Sequence, residues 1–185
     1  MIKYLIIVIL LFCKVSIAQS TFDYNVQLTP ITIPGLQGLH SYAFAQHNGK
    51  WLIIGGRKDG VHARQPFNAF PNSLNNSNII VIDVATQQFW STSLSTLTTS
   101  LKEQLQATNL NFYQDGDALY IVGGYAFSES LNDHVTFDKL TSIDVPNLID
   151  AVINGTSITS NFKQITNPIF QNTGGQLGKI GNEFY

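Results

Sequence analysis

Arg57, Asp59, His62 and Arg64 fall within one stretch, Arg57-Lys-Asp-Gly-Val-His-Ala-Arg64, and Phe67, Phe70 and Pro71 follow in the same polar segment. The guanidinium of arginine is a planar fork of donors that matches carboxylates and vicinal hydroxyls. Two such forks with an imidazole and a carboxylate could clamp an acidic or sugar-like ligand, and Phe67 and Phe70 could wall it. A plainer reading of the same residues stands beside this one. Arg57 and Asp59 can pair within the protein while the rest of the loop is solvated. A second loop, Tyr125-Ala-Phe-Ser-Glu-Ser-Leu-Asn-Asp-His134, is aromatic and acidic and does not repeat the chemistry of the first.

Signals for catalysis are sparse. His40, His47, His62 and His134 show no His-x-x-x-His spacing, and the only cysteine is Cys13, so neither a metal site nor a cofactor is expected. The chain has no Gly-x-Ser-x-Gly elbow and no glycine-rich phosphate loop with lysine. Asp83 and Asp144 end two matched apolar segments, and a carboxylate repeated in that way suits the capping of turn backbone better than acid–base work.

The elements that must carry these loops are announced by a repeat. Ser41 to Gly56 aligns without a gap on Asn109 to Gly124, 68 residues later, and Gly174 to Tyr185 begins a third copy. Within each copy an alternating strand meets a tight turn, and a hydrophobic strand then runs into a glycine pair, Gly55-Gly56 or Gly123-Gly124. The turns are Asn48-Gly49, Asp115-Gly116-Asp117 and Gly181-Asn182, residues that tolerate positive φ. A β-branched strand ends at Asp83 and a further strand holds Phe89-Trp90. The second copy keeps Leu140 to Asp144 but has no matching tryptophan, and Pro146 to Gly155 reads as a short helix. Leu101 to Leu105 reads as another.

Met1 to Ala18 has a lysine, an apolar run from Leu5 to Phe12 and a small-x-small end at Ser16-Ile-Ala18, the layout of a secretory signal peptide. Its apolar run is too short for the roughly 20 residues of a spanning helix. Removal of 1–18 leaves a chain with no cysteine and no transmembrane segment, placed outside the cytoplasm: secreted, periplasmic or on the cell surface. Charged residues are 12% of the chain and the net charge is −2, with no basic stripe, so a nucleic-acid partner is not expected.

A hydrophobic strand into Gly-Gly, a variable loop, a strand ending in Asp83 and Trp90 seven residues on resemble the Kelch motif of β-propellers. The resemblance spans about 38–185 and implies an all-β fold of four-stranded blades. Lys50 to Gly56 and Leu119 to Gly124 would be second strands, and Ile79 to Asp83 and Leu140 to Asp144 third strands. The period of 65 to 68 residues exceeds the usual roughly 50, which long inner loops absorb. The expected organisation is a signal at 1–18, an extended lead-in at 19–37 with a possible ring-closing strand, units at 38–105 and 106–170, and the start of a third at 171–185. Two blades and part of a third do not close a ring, so an incomplete propeller, the N-terminal part of a longer protein, is expected. Gly55, Gly56, Asp83, Trp90, Gly123, Gly124 and Asp144 would be the structural residues of the repeat.

With this signal and an asparagine-rich, weakly charged composition, the chain is similar to secreted propellers of Bacteroidetes-type bacteria. The functional expectation is a binding or scaffold module for a protein or glycan ligand, with Arg57, Asp59, His62, Arg64, Phe67 and Phe70 as candidate contacts. The resemblance also admits a sugar-modifying enzyme similar to sialic-acid mutarotases at the channel mouth. It does not admit the copper-oxidase branch, whose cysteine–tyrosine crosslink needs a cysteine that the mature chain lacks.

Overall fold

In the computed structural model, residues 24–60 and 69–185 are described. The signal segment, with the rest of 1–23, and His62, Arg64 and Phe67 lie outside the described residues. Residues 24–31 form no strand or helix, and Tyr24, Val26 and Leu28 are exposed.

The fold of residues 32–185 is mostly β, as the sequence leads one to expect. Strands β1 (Ala43–His47), β2 (Lys50–Ile54), β3 (Asn78–Asp83) and β4 (Gln88–Ser93) form one antiparallel sheet in chain order. Asn48 and Gly49 join the first two with φ of 48° and 73°, the pair of left-handed residues that a type I′ turn requires. Strands β5 (Asn111–Asp115) and β6 (Ala118–Val122) begin the second sheet. Its loop after the glycine pair carries a hairpin of its own, β7 (Tyr125–Ser128) with β8 (Asp133–Thr136). Strands β9 (Lys139–Asp144) and β10 (Phe162–Thr166) complete the order β5-β6-β9-β10. A last short hairpin pairs β11 (Lys179–Ile180) with β12 (Glu183–Phe184).

Among the described residues, two α-helices lie in the connections between these strands. Helix α1 (Thr99–Leu105) links the sheets, and the hydroxyl of Thr98 caps it by accepting from the Leu101 N–H. Helix α2 (Val145–Asn154) separates β9 from β10. Asp144 accepts from the Asn147 N–H at its start, and Gly155, at φ 63°, ends it. Asp83 makes the equivalent bond to the Thr86 N–H at 3.0 Å, so both aspartates close the backbone three residues on. In the first sheet that bond makes a turn into β4. In the second it starts a helix of ten residues, which displaces the last strand.

Period-two alternation gives each sheet two faces with different duties. Ala43, Ala45, Leu52, Ile54, Ile79 and Val81 of the first sheet are buried in one core with Leu119, Ile121 and Ile143 of the second. Val145, Leu148, Ile149 and Val152 of α2 join that core, and Trp90 packs against it. On the opposite face Ile53, Ile80 and Ile82 are covered by Ile33, Leu36 and Leu39. Trp51 lies on that opposite face because Leu52 faces inward; it is 40% exposed, with its ring edge-on to Phe44 at 5.4 Å.

The packing of the first unit on the second recurs between the second and the third. The Gly56 N–H donates to the Ala107 carbonyl at 2.8 Å, and the Gly124 N–H donates to Asn172 at 2.8 Å. The Asn109 N–H donates to Ser41, and the Gly174 N–H donates to Asn109. Phe184 occupies the place that Leu119 holds one repeat earlier, and packs on Tyr113 and Tyr120 with ring centroids 5.7 and 5.3 Å away. The glycines make this approach possible. A Cβ on Gly55 would lie 2.6 Å from the Ala107 oxygen, and one on Gly123 would collide with the Asn172 backbone; their φ values are 70° and 64°.

Candidate ligand-binding loops

Arg57 follows the first glycine pair and is 1% exposed. Its backbone is held on both sides, bridged to His40 and to Asn75. Nearby, the Asn76 side chain donates to the Gly55 carbonyl at 3.0 Å, so the returning loop is sewn to the end of β2.

The Arg57 guanidinium is spent within the loop. Nε and Nη2 donate to the two oxygens of Asp59 at 2.8 and 2.7 Å, a bidentate pair. Nη1 donates to Asn75 Oδ1 at 2.8 Å, and the guanidinium carbon lies 5.3 Å from the centre of the Phe70 ring. The hydrogen bonds from Arg57 hold the Asp59 carboxyl below its ordinary value, and the Arg57 charge adds to the effect against the opposing cost of burial. His40 Nε2 stands 3.6 Å from Asp59.

Phe70 joins this network to the second unit. Its ring meets Tyr125 edge-on at 5.2 Å, and its carbonyl accepts from His134 Nε2 at 3.0 Å. The His134 ring stacks on Tyr125 at 5.8 Å and stands edge-on to Phe127 at 5.3 Å. A chain of contacts therefore runs Arg57, Phe70, Tyr125, His134, Phe127 across two units, with all four rings half-buried. Phe70 has φ 54°. A bulky residue in the left-handed region is strained by about 1–3 kcal/mol and persists only where its surroundings hold it.

Of the sequence candidates, Arg57, Asp59 and Phe70 are brought together. Tyr125, Phe127 and His134 belong to the same cluster but were not singled out as site residues. The repeat held a signal for Tyr125, since the 68-residue spacing places it where Arg57 stands. Asn75 had no such signal: it reaches Arg57 only because the loop returns beside β2. Among the described residues no group of three or more His, Cys, Asp or Glu side chains is placed to hold a metal ion. Among them, too, no helix is long and apolar enough to cross a membrane. In comparisons with known proteins, no family model and no curated protein matches the chain.

Proposed function

We propose that this chain is an exported binding or scaffold module built on Kelch-type β-propeller blades, with its ligand surface on the loops that follow the glycine pairs. Export rests on the layout of residues 1–18. The blade reading rests on two four-stranded sheets of the same strand order, stacked face to face, and on seam hydrogen bonds that recur from one junction to the next. Radial stacking of this kind covers the faces that a single blade cannot bury alone.

One observation carries the functional part: the strained Phe70, pinned between Arg57 of one unit and Tyr125 and His134 of the next. Backbone strain of this kind concentrates at ligand clamps and switch regions. In this reading Arg57 and Asp59 position the loop, while Phe70, Tyr125, Phe127 and His134 present an amphipathic surface to a protein or glycan. Such rings supply large contact area at low entropic cost, which is why they dominate binding hot spots.

Arrays of glycans and peptides probed with the protein identify the ligand, and titration calorimetry then measures the variants. Phe70→Ala and Tyr125→Ala are expected to weaken binding tenfold or more, about 1.4 kcal/mol. Undiminished affinity in both folded variants would place the ligand elsewhere.

A further inference from the structure

The hairpin β7–β8 has two faces. Its register puts Tyr125, Phe127 and His134 on one, towards Phe70, and Ala126, Ser128 and Val135 on the other. That second face and α1 border a groove of about 490 Å³, within the range of about 300–1,000 Å³ common to small-ligand sites.

At the groove lies a carboxylate with no counter-charge. Glu103 is 4% exposed, and among the described residues it has no ion-pair partner. Three donors hold it instead: the Ser130 N–H at 2.8 Å on Oε1, and the hydroxyls of Ser128 and Ser130 at 3.0 and 2.9 Å on Oε2. An ionised carboxylate offers about four acceptor sites, and among the described residues Oε1 receives one donor, the Ser130 N–H. Burying a carboxylate without a counter-charge costs several kcal/mol, and these three donors, which tie α1 to the turn at 128–130, offset that cost.

We infer that this groove is a carbohydrate subsite, in which Glu103 accepts a hydrogen bond from a hydroxyl of a neutral sugar. The rest of the lining fits that class of ligand. Asp138 and Lys139 form an ion pair at 2.8 Å, which gives adjacent hydroxyls one acceptor and one donor. Gln171 adds an amide, and Val135 and the exposed Leu131 supply aliphatic surface for the C–H face of a ring. An anionic sugar would meet Glu103 as a like charge, so uncharged sugars are selected. The inference rests on the reading of the chain as a binding module, and it names one class of ligand and a second face of the same hairpin.

The test is saturation-transfer NMR with the methyl glycosides of glucose, galactose, mannose and N-acetylglucosamine, with glucuronic acid as the charged comparison. At least one neutral glycoside is expected to bind, at least tenfold more tightly than glucuronic acid. Glu103→Gln, Asp138→Asn and Gln171→Ala are expected to weaken that binding fivefold or more. Asp138 and Gln171 are exposed enough to be changed without unfolding the chain, so they decide the matter if Glu103→Gln does not fold. Absence of binding by every neutral glycoside overturns the subsite and leaves the array experiment on the Phe70 surface standing. Binding that Phe70→Ala abolishes while Asp138→Asn and Gln171→Ala leave it intact also overturns the subsite, and moves the sugar to the loop surface.

Discussion

Arg57 and Asp59 show how a residue pair that reads as a ligand clamp can be consumed by its own loop. The guanidinium is buried and bidentate, and among the described residues it also meets Asn75, Phe70 and the Pro71 carbonyl. Asp59→Ala leaves that cation buried without its counter-charge, a change that typically costs about 3–5 kcal/mol. Because Asp59 keeps 17% side-chain exposure, the expected loss is at the lower end, about 3 kcal/mol, read from urea unfolding. A loss under about 0.5 kcal/mol would mean that water replaces the carboxylate and that the pair is not what holds the loop. The pair also carries a pH signature. Since folding lowers the Asp59 pKa, its stabilisation is complete above the ordinary carboxylate value of about 4 and is lost as pH falls through the folded value. The stability difference between the protein and Asp59→Ala should therefore shrink in acid, below about pH 4.

At the scale of elements, the strands were legible where alternation and turn chemistry agreed. Asn48-Gly49 sets the β1–β2 register, and the apolar run Ile79 to Ile82 has too little polar character for anything but a strand buried on both faces. The second unit was harder to read. Phe162–Thr166, which forms β10, alternates weakly and stands far from its partner strand because α2 intervenes. The β7–β8 hairpin reads as an aromatic and acidic loop, since its two faces serve the aromatic cluster and the α1 groove rather than a single core. Of the candidate site, Arg57, Asp59 and Phe70 were legible as neighbours in sequence, whereas Tyr125 and His134 reach them only through the stacking of units. Glycines divide into two kinds that sequence alone does not separate. Gly116 sits in an open turn with nothing near its missing Cβ, while Gly123 faces the Asn172 backbone. Both have positive φ, so alanine at Gly116 is expected to cost about 1–2 kcal/mol. Alanine at Gly123 adds a backbone collision and should cost about 3 kcal/mol or more. Equal melting temperatures for the two variants would show that Gly123 does not lie in a close seam.

For the whole molecule, the central claim is that one junction geometry is used twice. The apolar face of each unit receives the next one, and residues just before and just after each strand pair are tied across by backbone bonds: Gly56 to Ala107, Asn109 to Ser41, Gly124 to Asn172 and Gly174 to Asn109. These bonds belong to no sheet ladder, so they exist only if successive units stack as described. Native-state amide hydrogen exchange, read residue by residue by NMR, measures them directly. The account predicts that the amides of Gly56, Asn109 and Gly124 are protected to within about tenfold of the ladder amides of Leu52 and Ile121. Exchange of all three at the rate of an unprotected loop, with Leu52 and Ile121 still protected, would show that the sheets form without the junctions and would contradict the repeat.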